Sequence, residues 1–315
     1  MLSSAIGFAL LTLAHDVYLT TLTLVVTEAA SALFLIGSKA IISENLPIGL
    51  RAKVFSLRYT LTNIGYATGP MLGVIIAGYL PLAPFLIASA IAFGSVFLMI
   101  GIAPTQRDGH PKPQSFFDTL RTLKSDRVLV LFTGGSLLST IVHGRFTLYL
   151  SQFLLVTQAP QDALKILSAV LACNALTVIL MQYQIGRWLK REQMHYWIAL
   201  GVGFFVFGLI GFSFSSSLMT WCIAMFIFTL GEMIIYPAEY LFVDTIAPEA
   251  LRGSYYGAQN LAAFGGALSP VICGYLLIHT PAITMFYVLA GLTMLGGTLC
   301  FISAHTAKPQ SSETS

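Results

Sequence analysis

Seven ionisable side chains lie inside strongly apolar stretches of this sequence. They are Glu28, Lys39, Arg58, His143, Arg145, Glu232 and Glu239. If those stretches cross a membrane, a charge at mid-depth costs at least about 2.5–3.5 kcal/mol on insertion scales. Each residue is therefore a candidate for proton or solute chemistry, and a fixed structural ion pair is the alternative interpretation.

Two of the carboxylates are the predicted proton-coupling residues. Glu28 lies ten residues into its apolar segment, which is about 15 Å along a helix and near the middle of a bilayer. Glu232 shares one helix face with Tyr236 and Glu239. Burial disfavours the charged form of a carboxylate, so such a group can take up and release a proton. The alternative is a fixed structural partner of Arg145 or His143.

His143 is a further candidate for proton coupling, because histidine titrates near neutral pH. Arg145 is two residues away, or about 200° around a helix, so the two side chains cannot share a face. A hydrogen-bonded structural histidine remains the alternative.

Several other residues are candidates for a gate or a charge relay. Lys39 and Glu239 lie 200 positions apart in segments that resemble each other, and opposite charges there would close an inner gate, with Arg58 as a rival partner. Snorkelling of Lys39 to the membrane surface is the alternative. Asp244 is predicted to pair with Arg187 or Arg191, and a solvated charge at a helix end is the alternative.

A set of polar residues without charge also lies within the apolar segments. These candidates for lining a cavity or binding a substrate are Tyr59, Asn63, Asn174, Gln182, Tyr236, Gln259 and Asn260. The same residue types also join helices through hydrogen bonds worth about 0.6 kcal/mol on average, so both interpretations stay open.

The composition indicates which elements position these side chains. Of the 315 residues, 56% are hydrophobic and 9% charged, whereas soluble domains carry about 25% charged residues. We therefore expect an all-α polytopic protein with the lipid bilayer as its main solvent. The net charge of +3 is too small to indicate nucleic acid. The four cysteines form no CxxC pair, so neither a disulfide, a metal nor a cofactor is predicted.

The apolar pattern predicts ten spans. They cover residues 1–14, 18–42, 54–79, 84–103, 128–154, 163–186, 195–213, 218–243, 254–278 and 282–304. Twelve of the 16 Lys and Arg residues fall in loops on one side, and the opposite loops contain none. By the positive-inside rule, both termini are predicted to be cytoplasmic.

The chain is predicted to have two related halves. Residues 1–103 form an N-terminal half of four spans, 104–127 a cytoplasmic linker, 128–305 a C-terminal half of six spans and 306–315 a tail. The halves resemble each other at an offset of 200, as Glu44 and Asp244 illustrate. Parallel repeats of this kind are typical of transporters. The repeat also predicts that the first two of twelve helices are missing from the N-terminus.

The glycine pattern of residues 65–73 carries a resemblance to a known family. Gly65, Gly69, Pro70 and Gly73 resemble the fifth-helix antiporter motif GxxxGPxxGG of the major facilitator superfamily, with Val74 at the last glycine. The glycine spacing lets another helix approach closely and Pro70 permits a kink. Ordinary helix packing would leave the same pattern.

Further segments strengthen the resemblance. Gly186–Arg191 is similar to the second copy of the family's loop motif, and residues 39–46, 59–65 and 231–240 resemble an enterobacterial group of exporters within the family. The resemblance, to the drug–proton antiporter branch, implies a twelve-helix plan with the substrate between the halves.

These observations predict a secondary transporter of the bacterial inner membrane rather than an enzyme. The expected activity is proton-coupled export of a small solute or drug by a monomer, through alternating access. One alternative is a truncated remnant that does not transport. An intramembrane enzyme is the other, but it would need clustered catalytic groups, and the six histidines are scattered along the chain.

Overall fold

The computed structural model describes residues 1–13, 16–102 and 115–307. Within them the structure is helical, without strands. The predicted linker prolines Pro104, Pro111 and Pro113 and most of the predicted C-terminal tail lie outside the described residues, as does the side chain of Pro70.

Thirteen α-helices occupy the described parts of the chain. They are α1 (Leu2–Leu11), α2 (Val17–Asn45), α3 (Ile48–Tyr79), α4 (Ala83–Ile102), α5 (Phe116–Ser125), α6 (Arg127–His143), α7 (Phe146–Thr157), α8 (Pro160–Trp188), α9 (Met194–Ser213), α10 (Leu218–Ile246), α11 (Arg252–Gln259), α12 (Ala263–His279) and α13 (Thr284–Thr306). Short 3₁₀ turns at Arg191–Gln193, Glu249–Leu251 and Asn260–Ala262 precede α9, α11 and α12.

The all-helical prediction is confirmed, but the number of spans is only partly supported. Each predicted apolar segment coincides with a helix or a broken helix. Among the described residues, six helical stretches are long and apolar enough to cross a membrane when α11 and α12 are counted as one, or seven if α5 and α6, bent by 78°, also count as one span. The predicted span 128–154 is broken near Gly144, where α6 ends and α7 follows after Arg145. The first predicted span contains a helix of only 10 residues.

The described chain divides into two compact units. Unit 1 comprises residues 1–45 and 65–113, and unit 2 comprises residues 46–64 and 114–315. The first part of α3 thus belongs with the C-terminal residues, whereas the sequence assigned it to the N-terminal half. The division into two halves stays a prediction.

Unit 1 is held together by small and hydroxyl-bearing side chains. A methyl group at Gly7 of α1 would overlap the hydroxyl of Thr27 on α2, so these two helices approach closely. Ser89 Oγ on α4 donates to the carbonyl of Ala5 at 2.7 Å. These contacts tie α1 to both α2 and α4.

Unit 2 is built around α10. Its Gly231 approaches α9 so closely that a Cβ there would lie 2.7 Å from the carbonyl oxygen of Gly201. Gly208 of α9 faces Phe228 of α10 in the same way, since its Cβ would lie 2.7 Å from the Phe228 side chain. This close packing against α9 fixes α10 along much of its length, and α10 carries the three buried carboxylates described below.

The helix ends follow the predicted repeat. Asn45 ends α2 and Ile246 ends α10, while α3 begins at Ile48 and the 3₁₀ turn before α11 begins at Glu249. Both pairs of positions agree with the 200-residue offset to within one residue.

Candidate functional site: buried carboxylates on α10

The helix α10 places three carboxylates in the interior of unit 2. It begins at a capping box, in which Ser217 and Thr220 bond each other's backbone, satisfying donors that a helix start otherwise leaves free. Glu232, Glu239 and Asp244 are all buried along it. A buried charge needs paired or hydrogen-bonding neighbours, so the surroundings of each carboxylate indicate its role.

Glu232 is held by a neutral donor from α8. Asn174 Nδ2 donates to Glu232 Oε2 at 2.7 Å and lies 3.0 Å from Thr229 Oγ1. Thr229 in turn donates its hydroxyl proton to the carbonyl of Met225 at 2.7 Å. None of the ion pairs among the described residues includes Glu232. Its carboxyl group is therefore oriented without being neutralised by a cation.

Aromatic rings pack against one another beside this carboxylate. Tyr59, from the first part of α3, stacks on Tyr236 with ring centroids 4.7 Å apart. The imidazole of His143 meets Tyr236 edge-on at 4.9 Å and stacks on Phe205 at 5.3 Å. Tyr59 and Tyr149 both lie near Glu232, which is itself buried.

Two buried polar side chains of this cluster have unused hydrogen-bonding capacity. The hydroxyl group of Tyr149 and both ring nitrogens of His143 find no hydrogen-bond partner among the described residues, whereas the Tyr59 hydroxyl lies beside Glu232 and Asn63. Native interiors rarely leave such groups unpaired. Each of these groups offers a donor or an acceptor in the interior of unit 2.

Glu239 occupies a separate polar site nearer the end of α10. Gln259 Nε2 donates to Glu239 Oε2 at 3.1 Å. The carboxylate also lines a narrow cavity with Ser139, Gly297 and Cys300. Glu232 and Glu239 share one face of α10 in sequence, but they contact different neighbours.

Asp244 forms the main ion pair of unit 2. Arg51 Nη1 lies 2.5 Å from Asp244 Oδ2, and Arg252 Nε lies 4.0 Å from Asp244 Oδ1. Of the predicted partners, Arg187 is exposed and Arg191 donates from Nε to Thr245 Oγ1 at 2.7 Å. Arg51 is thus in direct contact with Asp244, and Arg191 lies near enough to interact with the same carboxylate. One signal in the sequence pointed to this pairing: Arg51 matches Arg252 at the 200-residue offset with a slip of one residue, and both arginines lie beside Asp244.

Gln182 has a role that the sequence analysis missed. Predicted as a cavity residue, it donates from Nε2 to the backbone carbonyl of Met233 at 3.1 Å. The carbonyl lies four residues before Pro237, which is inside α10. Because proline has no N–H, the carbonyl has no helical donor, and Gln182 supplies the missing one.

The predicted site residues of unit 1 have a different environment. Glu28 is exposed on α2, whereas Lys39 on the same helix is buried. A Cβ at Gly65, Gly69 or Gly73 would meet no other described atom within 4 Å. The described residues thus supply no close helix neighbour at the antiporter-like motif, and its packing role stays a prediction.

The remaining predicted residues lie outside the Glu232 cluster. Asn63 Nδ2 donates to the carbonyl of Tyr59 on its own helix at 3.0 Å, and Asn260 begins a 3₁₀ turn. The guanidinium of Arg58 lies 5.7 Å from the ring centre of Tyr240. Arg145 is exposed at the break between α6 and α7, so it is not a partner of the buried carboxylates. No group of three potential metal ligands occurs among the described residues.

Comparisons with known proteins identify the family. The sequence profile of the Major Facilitator Superfamily matches residues 1–270. The MFS-type transporter YdeE of Escherichia coli K12, itself described as uncharacterized, is 32% identical over 97% of this chain and 77% of its own length. The multidrug resistance protein MdtH of Cronobacter sakazakii is 25% identical, over 89% of this chain and 71% of its own length.

The fold agrees with the sequence match. The crystal structure of the fucose:proton symporter FucP of E. coli superimposes with a TM-score of 0.71 at 13% identity, covering 96% of this chain and 81% of that one. These relatives are transporters, which confirms the prediction that the chain is not an enzyme. By sequence and by fold, the chain is an integral membrane protein that belongs to the major facilitator superfamily.

Proposed function

We propose that the chain is a proton-coupled antiporter that exports a small solute by alternating access. The observation that supports this proposal most directly is Glu232, a buried carboxylate of α10 held by Asn174 beside the stacked rings of Tyr59 and Tyr236. The predicted alternative for Glu232, a fixed partner of Arg145 or His143, is not favoured. Arg145 is exposed, and no His143 nitrogen bonds the carboxylate.

The chemistry of this site suits reversible proton binding. A carboxylate locked to an arginine stays charged, because losing one partner of a buried pair costs several kcal/mol. Neutral amide and phenol groups accommodate both protonation states, since an amide offers donors and an acceptor and a phenol can donate or accept. Glu232 can therefore exchange its proton without leaving a buried cation unpaired.

The relatives supply the direction and the substrate class of the proposal. The name of MdtH describes multidrug resistance, which suits export of a drug-like solute. We extend that property to this chain as part of the proposal, together with function as a monomer in the bacterial inner membrane.

The proposal includes a topology. All ten apolar segments cross the bilayer, both termini are cytoplasmic, and the Lys- and Arg-rich loops lie on the same side. Reporter fusions after residues 16, 81, 158, 216 and 281 should be active on the periplasmic side, and a fusion within 104–127 should be active in the cytoplasm. A periplasmic signal from the latter fusion would overturn the topology.

The functional test is proton flux in proteoliposomes. The chain is reconstituted with the pH-sensitive dye pyranine inside and challenged with a panel of drug-like solutes under an imposed pH gradient. We expect at least one solute to cause proton movement in the wild-type chain and Glu232→Gln to abolish it, because glutamine keeps the shape but cannot titrate.

Glu192→Gln is the matched control, since Glu192 is exposed in the turn before α9, and it should retain wild-type flux. Retained flux in Glu232→Gln would refute the assignment of the proton site, and Glu28→Gln and His143→Gln would then be compared next. Absence of any solute-driven flux in the wild-type chain would favour a non-transporting remnant.

A further inference from the structure

The segment Gly231–Pro237 of α10 joins three unusual features around Glu232. Gly231 brings the backbone of α10 against α9, where a Cβ would lie 2.7 Å from the carbonyl of Gly201. Pro237 removes the helical donor for the carbonyl of Met233. The proposed proton site, Glu232, thus lies between a close backbone contact and a point where the helix has lost one of its own hydrogen bonds.

The helix α8 holds this segment at two points. Asn174 Nδ2 bonds the side chain of Glu232 at 2.7 Å. Two turns further along α8, Gln182 Nε2 bonds the backbone carbonyl of Met233 at 3.1 Å. Since Glu232 and Met233 are adjacent, one bond holds the carboxylate and the other holds the backbone that carries it.

A glutamine is needed at this position for a specific reason. Gln182 is fully buried, and a buried carbonyl without a donor destabilises the folded protein. A loss of the helical bond at proline is also where helices bend. The amide of Gln182 therefore satisfies the carbonyl and steadies α10 at the position where a proline allows a helix to bend.

We propose that Gln182 is a positioning residue, which caps the Met233 carbonyl left free by Pro237 and thereby keeps Glu232 in register with Asn174. The functional half of this inference rests on the proposed function of Glu232, whereas the capping half does not. The titratable groups that face Glu232 are Tyr59 from α3 and Tyr149 from α7, with Tyr236 on α10 and His143 on α6 behind the Tyr59 ring.

The cap is tested by a double-mutant cycle on the purified chain in detergent. Gln182→Met keeps the length of the side chain and removes the donor, and Pro237→Ala restores a backbone N–H to the helix. We expect Gln182→Met to lower the thermal midpoint by about 2–4 °C. In the Pro237→Ala background, the same change should lower it by less than half as much, because the carbonyl then has its helical donor.

Gln184→Met is the matched control, because Gln184 lies on α8 but is exposed, and it should leave the midpoint unchanged. If Gln182→Met does not fold alone, the double variant should recover folded protein. Additive effects of the two substitutions, or no recovery, would overturn the cap.

The positioning role is tested by the pH dependence of the thermal midpoint, which requires no transported solute. We expect the thermal midpoint of the wild-type chain to change over the pH range in which Glu232 titrates, and we expect Glu232→Gln to remove this pH-dependent step. Asn174→Leu and Gln182→Met should move this step to a different pH in the same direction, and adding Pro237→Ala to Gln182→Met should return it to the wild-type pH.

An unmoved step in Gln182→Met would show that the residue is only structural and overturn the positioning role. If the wild-type chain lacks a step that depends on Glu232, the proposed function and the positioning role fail together, while the midpoint cycle still decides the cap.

Discussion

Helices α2 and α10 are matched by the repeat and have the same length, 29 residues, yet their surroundings differ sharply. Of the most apolar 18-residue stretch in each helix, 11% is buried in α2 and 56% in α10. Both begin with a side-chain cap, and both carry a carboxylate well within the helix. Similar local sequence therefore gives a similar helix, but it does not decide how much of that helix is packed.

The glycines that follow each helix show the same contrast. A Cβ at Gly265 would overlap the carbonyl of Leu137 on α6, whereas a Cβ at Gly65 would meet no described atom within 4 Å. The charged groups differ likewise, because Asp244 is buried against Arg51 while Glu44 is exposed. Repeat-related positions should thus respond very differently to the same substitution.

The largest difference is expected at the carboxylates that end the two helices. Asp244→Asn leaves Arg51 buried without its counter-charge, and breaking a buried pair in this way costs about 3–5 kcal/mol. Glu44→Gln should change stability little, because exposed substitutions usually do. Unfolding in mixed detergent and SDS micelles would measure both.

A double variant sharpens this test. Arg51→Gln combined with Asp244→Asn should cost less than the two single substitutions together, because neither charge is then left alone in the interior. Equal losses for Asp244→Asn and Glu44→Gln would remove the contrast between the two helix ends.

An intermediate difference is expected at the glycines. Gly265→Ala forces α12 away from α6, and overpacking of this kind costs about 1–3 kcal/mol. Gly65→Ala should be neutral or stabilising by up to about 1 kcal/mol, since alanine is the better helix former. The thermal midpoints of the two variants give the comparison, and a destabilised Gly65→Ala variant would reveal a neighbour at that face.

The smallest difference is expected at the helix starts. Asp16 Oδ1 accepts from the Leu19 N–H at 2.8 Å before α2, and Ser217 Oγ accepts from the Thr220 N–H at 3.3 Å before α10. Replacing either cap by alanine should cost about 1 kcal/mol. Chemical unfolding of Asp16→Ala and Ser217→Ala should give similar losses, and a gap of several kcal/mol would show that these caps also have tertiary roles.

The candidate site was predictable residue by residue, but its pairings were not. Glu232, Asn174, Tyr59 and Tyr236 stand out as polar or aromatic residues in apolar segments. The bond between Asn174 and Glu232 forms only because α8 packs against α10 with these two residues at the same level along the helix axes. Gln182 shows this most clearly. A polar residue in a span can line a cavity or bond another helix, and the local sequence does not distinguish the two roles.

By itself, the sequence determined the class of the protein and the approximate limits of its helices. A chain so apolar must use the bilayer as solvent, and a backbone in lipid must satisfy its hydrogen bonds within each helix. These requirements act on every segment locally and are therefore readable from composition and periodicity. Family membership was also visible in short motifs, such as the glycines of residues 65–73.

Only the tertiary structure decided which buried charged groups form ion pairs and which contact neutral hydrogen-bonding groups. Arg51 and Asp244 are 193 positions apart, and nothing in their local sequence distinguishes this pairing from one with Arg191. The choice depends on how helices distant in sequence pack, because an ion pair or a hydrogen bond needs contact within a few ångströms. The same packing leaves Glu232 with neutral neighbours, gives the carbonyl before Pro237 its donor from Gln182, and leaves Glu28 exposed.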